Sequence, residues 1–208
     1  FTNAEGSSST TMTASFSTCS GDWSLADPVV FVTQQYVDFL RRTPDNAGLN
    51  YWVSRLNAGT SSRAEVIESL MYSGEFRGRF GPLVRLYTAY FRRLPGLMYW
   101  FDAMYPSSGT GNSITQVSDA FAQSSEFVNT YGPLDNAGFI NRVYQNVLGR
   151  SPDAAGQAYW LAQLNGGMSR GQLMIGFSES VENQNATANA QRITLVYVGM
   201  LQRVPNAT

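Results

Sequence analysis

The chain has no histidine, no lysine and one cysteine, Cys19. Without His it lacks the commonest general acid–base group and the commonest metal ligand. One Cys excludes a disulfide within these residues and leaves a free thiol, or a partner on another chain or in a further segment. Charged residues make up 14% of the 208 residues, against about 25% in ordinary soluble domains. All fourteen cations are Arg and the net charge is -1, so there is no electrostatic footprint for nucleic acid or an anionic membrane. No apolar run approaches the ~18 residues of a membrane span, and no membrane insertion is expected. Gly-rich phosphate loops, CxxC pairs and Ser/His/Asp sets are all missing. Catalysis would have to rest on carboxylates alone, and none is expected.

What is present is a repeat. A Tyr is followed by Leu or Phe four residues on, Arg two later and Pro two after that. The copies are Tyr36-Leu40-Arg42-Pro44, Tyr87-Phe91-Arg93-Pro95, Tyr144-Leu148-Arg150-Pro152 and Tyr197-Leu201-Arg203-Pro205. The Tyr residues are 51, 57 and 53 residues apart. That period predicts an all-α fold of tandem helical repeats, each too small to bury a core without its neighbours. The expected units are a tail over 1–27, repeats over 28–82, 83–133 and 134–187, and the first helix of a fourth over 188–208.

The first repeat shows the expected order of helices. Asp27-Pro28 reads as a helix start, and Val29, Val30, Val32, Tyr36, Phe39 and Leu40 form its apolar stripe. Arg41 and Arg42 fall in the expected last turn, before Pro44 stops the helix. Asp45 caps a second helix bearing Trp52, and Ser62-Arg63-Ala64-Glu65 is a capping box that opens a third. A short fourth segment follows Ser73-Gly74-Glu75-Phe76 and is expected to end at Gly81-Pro82. The second and third repeats keep this order, with capping boxes at Ser113–Gln116 and Ser169–Gln172. The chain begins on Phe1, as a processed product or a fragment would, and Pro205-Asn206-Ala207 reads as the next inter-helix turn, so continuation beyond Thr208 is expected. In the Ser/Thr-rich first 24 residues, Met12, Ala14, Phe16 and Thr18 alternate with polar residues. That segment is either a linker or a strand that pairs with another subunit, with Met12, Phe16 and Cys19 as candidate assembly contacts.

Three constellations invite functional readings. The pairs Tyr51-Trp52, Tyr99-Trp100 and Tyr159-Trp160 could stack on sugars, but helix neighbours diverge by about 100°, so one of each pair is expected to face the core. The signature residues Arg42, Arg93, Arg150 and Arg203 could bind anions. The structural reading has them cap their own helix ends or pair with Asp45 and Asp153. Glu75, Glu126 and Glu182 recur in register and read as local hydrogen-bond anchors, since repeats hold like residues apart. Tyr105 and Tyr131 are the candidate solvent-facing glycan contacts. Asn185 and Asn206 each begin an Asn-x-Thr glycosylation pattern.

The string Leu148-Gly149-Arg150-Ser151-Pro152-Asp153-Ala154-Ala155-Gly156-Gln157-Ala158-Tyr159-Trp160, with Leu164, Gly166 and the later Ser-x-Glu-Phe of earlier copies, resembles a bacterial helical repeat, the domain of unknown function 4214. That family is similar to the phycobilisome linker domain. The resemblance covers about residues 28–208, and the second copy departs from it by lacking the Asp-x-Ala insert. It implies a secreted or cell-surface protein doing non-catalytic assembly or attachment work, and it carries no active site. Calcium accompanies some such surface proteins, but no loop here has the ligand density of an EF-hand, so no cofactor is expected. The expected function is a structural module of a surface layer, sheath or filament, with itself or other surface proteins as partners. The alternatives are an adhesin that reads cell-surface polysaccharide and a passive spacer.

Overall fold

The computed structural model describes residues 25–94, 97–106 and 110–205. Among these the fold is all-α. The first repeat contributes α1 (Pro28–Leu40), α2 (Asn46–Asn57) and α3 (Arg63–Tyr72). Then α4 (Gly74–Phe91) leads to α5 (Leu97–Met104), α6 (Ile114–Ala122) and α7 (Ser125–Tyr131). The third repeat begins with α8 (Asn136–Val143), which runs into a π-helical turn over Tyr144–Leu148. It continues as α9 (Ala154–Asn165), α10 (Arg170–Ser178) and the long α11 (Val181–Leu201).

The helix starts follow from local chemistry. Asp27 accepts hydrogen bonds from the Val29 and Val30 amides, with Pro28 at the first helical position. Asp45, Asp135 and Asp153 cap α2, α8 and α9 in the same way, each accepting from a Gly amide three residues on. Reciprocal capping boxes open α3, α6 and α10 at Ser62, Ser113 and Ser169.

The helix ends differ from expectation. α1 stops at Leu40, and Arg41 already has the left-handed backbone of a cap. The matching positions in the other copies, Arg92, Gly149 and Gln202, share it, with φ of 53, 69 and 50°. The signature Arg therefore stands beyond its helix rather than in the last turn.

A second difference sets the architecture. α4 does not break at Gly81-Pro82; it continues to Phe91. The end of repeat 1 and the first helix of repeat 2 are thus one rod, and α11 fuses repeats 3 and 4 likewise. The expected limits 82/83 and 187/188 both lie inside helices. Between repeats 2 and 3 the rod is divided, because twelve residues separate Gly132 from Tyr144 where six separate Gly81 from Tyr87. The added stretch carries Asp135, which caps a new helix.

α4 is the centre of the molecule. It packs against α1, α3, α5, α6, α7, α10 and α11. Its buried face, with Phe76, Phe80, Leu83, Val84, Leu86 and Tyr87, makes loss of one ladder bond at Pro82 tolerable. The array also closes on itself, because α11 packs on α1. There Phe39 lies where a side chain on Gly199 would sit, and the Gln202 amide donates to the Asp38 carbonyl at 3.1 Å. No helix among the described residues is long and apolar enough to cross a membrane.

Candidate functional site

The recurring motif builds one clamp three times. Arg42 donates from Nε and Nη2 to the two Glu75 carboxylate oxygens at 2.8 and 2.7 Å. Arg150 grips Glu182 at 2.6 and 2.7 Å, and Arg93 reaches Glu126 at 3.4 and 2.7 Å. Each guanidinium also lies over its signature Tyr: Arg42 on Tyr36 at 5.3 Å, Arg93 on Tyr87 at 5.9 Å, Arg150 on Tyr144 at 5.0 Å and Arg203 on Tyr197 at 5.4 Å. This corrects the expected pairing with Asp45 and Asp153, which are engaged as helix caps. The Glu residues that recurred in register are the true partners, anchored at the start of the fourth helical segment. The hydrogen bonds from Arg42 hold the Glu75 carboxyl below its ordinary pKa, and those from Arg150 do the same to Glu182.

The rest of the motif completes the clamp. Pro44 and Pro152 turn the chain away after the Arg, whose Nη1 donates to the carbonyl between them (Thr43 or Ser151) at 3.1 Å in each case. The Gly of Asp-x-Ala-Gly then lets the next helix approach the signature Tyr. A Cβ on Gly48 would stand 2.6 Å from the Tyr36 hydroxyl, and one on Gly156 would meet the Tyr144 hydroxyl more closely still. In the second repeat, which lacks that insert, the Tyr87 hydroxyl accepts from Arg93 at 3.1 Å instead.

In each Tyr-Trp pair the two rings diverge as helix geometry demands. Trp52, Trp100 and Trp160 pack against the core, while Tyr51, Tyr99 and Tyr159 are 53, 69 and 56% exposed. Each pair meets edge to face, with centroids 4.9 to 5.2 Å apart.

Of the two aromatic residues expected to meet glycan, Tyr131 is buried and Tyr105 is only partly exposed. Tyr131 is 1% exposed, packs on Phe127 and Phe139, and accepts a hydrogen bond from Asn146 at 2.7 Å. It occupies the register position of Phe80, a core residue. Tyr105 is half-buried, its hydroxyl donates to the Arg79 carbonyl at 2.9 Å, and Arg79 covers its ring. Burial raises its pKa. Asn185 lies in mid-helix on α11 and is exposed, but the Thr187 hydroxyl of its pattern donates to the Asn183 carbonyl at 2.6 Å. Folded α11 therefore does not present Asn185 and Thr187 together. Met12, Phe16, Cys19 and Asn206 lie outside the described residues.

No set of three or more acidic or thiol side chains that could hold a metal occurs among the described residues. A groove of about 310 Å³ does run between α4 and α11, lined by Arg77, Arg85, Arg192, Gln184, Asn185 and Gln191. Reading a break at Gly81-Pro82 hid it. Arg77, Gly81 and Arg85 share one face only if the helix is continuous.

No curated protein and no solved structure matches the chain. The family model described as Domain of unknown function (DUF4214) matches residues 8–80 and 118–187. With the signature clamp in both matched stretches and the matches covering more than half of its length, the chain belongs to the DUF4214 family.

Proposed function

We propose that the chain is a non-catalytic structural module of the cell surface that builds or attaches an extracellular assembly such as a surface layer, sheath or filament. One observation carries the reading. Leu40, at the end of the first repeat's leading helix, is 2% exposed, whereas its counterpart Leu201 on α11 is 52% exposed. Met200 and Ile193 on the same helix are 52 and 54% exposed, and α1, which packs on α11, adds exposed Val29 and Val37. In the first repeat this helical face is covered by the helices packed on α1, among them α2 and α3. On α11 it is left as an apolar surface of the kind that supports association. The face is a repeat interface, so any further helical repeat fits it, and self-association would supply one from a second copy. The location outside the cell is the expectation carried by the family resemblance.

Sedimentation velocity on the wild type and on Leu201→Glu tests this. The wild type should self-associate with rising concentration and the variant should not, with the helical circular dichroism signal unchanged. A wild type that stays monomeric across the range overturns the proposal. A second reading, a glycan-binding anchor, is favoured by one observation, the Arg- and amide-lined groove between α4 and α11.

A further inference from the structure

We propose that the groove between α4 and α11 binds an acidic saccharide, taking its carboxylate on Arg77 and Arg192 and its hydroxyls on the amides of Gln184 and Asn185. The inference rests on the glycan-binding reading and is independent of self-association through Leu201.

The groove is held in shape by contacts that a ligand need not form. Gln191 Nε2 on α11 donates to the Gly81 carbonyl on α4 at 3.0 Å and ties the two rods together. A Cβ on Gly81 would stand 3.1 Å from the Arg85 guanidinium, a tight contact that would crowd the floor of the groove. Arg85 is 12% exposed and is taken up by Glu179, to which its Nε donates at 2.8 Å. Gln184 is steadied by its bond to the Glu179 carbonyl at 2.8 Å. Arg77 is laid over the Tyr72 ring at 4.9 Å. The ordering cost of these groups is met before a ligand arrives, which favours binding.

The charge identifies the ligand. No Asp or Glu lines the groove, and no ion pair among the described residues involves Arg77 or Arg192. Two uncompensated guanidinium groups therefore face one cleft in a chain whose net charge is -1. The planar guanidinium fork matches a carboxylate with two parallel hydrogen bonds. Carboxamide side chains offer both a donor and an acceptor, which suits hydroxyl groups that need both. At one end the cleft continues into an apolar recess formed by Met71, Tyr72, Leu195 and Val196, a surface for the C–H face of a sugar ring. Its volume is at the lower end of small-molecule sites, which suits one or two sugar units.

Isothermal titration calorimetry with a trigalacturonate and the neutral galactotriose tests the proposal. The acidic trimer should bind at least tenfold more tightly than the neutral one, and its affinity should fall as salt is raised. The double variant Arg77→Gln/Arg192→Gln should lose at least tenfold in affinity while keeping its melting temperature, because both side chains are exposed. Equal affinity for the neutral trimer, no heat with the acidic one at millimolar concentration, or full binding by the double variant would overturn it. So would displacement by an equal concentration of inorganic phosphate, which would mean the cleft reads charge alone. The Leu201→Glu variant should bind the acidic trimer normally, so failure of the assembly reading and failure of this one are separable.

Discussion

Arg150 and Glu182 stand 32 residues apart in the chain and meet through two hydrogen bonds of 2.6 and 2.7 Å. The same clamp joins Arg42 to Glu75 and Arg93 to Glu126, so each repeat ties the exit of its first helix to the start of its fourth helical segment. Each bridge is substantially exposed to water and contributes modestly by itself. Its value is geometric, since it fixes where the next helix begins.

The clamps predict a pH dependence. Glu75 and Glu182 have pKa values lowered by folding, so their stabilisation is fully present above the unfolded value of 4.5 and is lost as pH falls through the lower folded value. Melting temperature should therefore fall on acidification below about pH 5. Asp38, raised chiefly by burial, acts in the opposite sense, so the wild-type slope is a sum. The difference between wild type and Glu75→Gln isolates the clamp. It should be present at pH 7 and shrink toward zero at pH 3. A difference that does not change with pH would contradict the assignment.

The close approach of helix and signature Tyr predicts a coupled pair. Gly156→Ala should destabilise the protein by about 1–3 kcal/mol, because its methyl group meets the Tyr144 hydroxyl. Tyr144→Phe should recover part of that loss, giving a coupling of about 0.5–3 kcal/mol in a double-mutant cycle read by urea denaturation. Additive effects would place the two groups apart.

The two Pro residues after the repeated Phe/Tyr positions should behave differently. Pro82 lies inside α4, so Pro82→Ala restores a ladder hydrogen bond and should stabilise by about 1–3 kcal/mol. Pro133 lies in the turn after α7, where alanine should bring no comparable gain. Equal responses would argue for a break at both places.

The reassigned aromatic residues offer a simple contrast. Tyr131→Ala removes a core ring and should cost about 3–5 kcal/mol. Tyr99→Ala, at 69% exposure, should change stability by no more than about 0.5 kcal/mol. The reverse order in thermal melts would restore Tyr131 to the surface.

Much of this was legible in the chain because its causes are local. The Asp27 and Asp45 caps, the Ser62, Ser113 and Ser169 boxes and the inward turn of Trp52, Trp100 and Trp160 each depend on residues within about one helical turn. The Arg–Glu clamp is not local. Its signal was the near-equal offset of 33, 33 and 32 residues from Arg42, Arg93 and Arg150 to Glu75, Glu126 and Glu182, which a pairing rule limited to near neighbours passes over. Tyr131 could have been placed by its register with Phe80. Passage of α4 through Pro82 was hidden because the breaker signal is intrinsic, whereas the burial that overrides it comes from seven other helices. Closure of α11 on α1 leaves no periodic trace, since Phe39 and Gly199 lie at opposite ends of the chain.

The most direct test of the structural role is electron microscopy of the purified native protein, with mass spectrometry of the same sample. Ordered filaments or sheets, dispersed by Leu201→Glu, are the result the account predicts. A uniform field of single particles at every concentration, unchanged by that substitution, would contradict it.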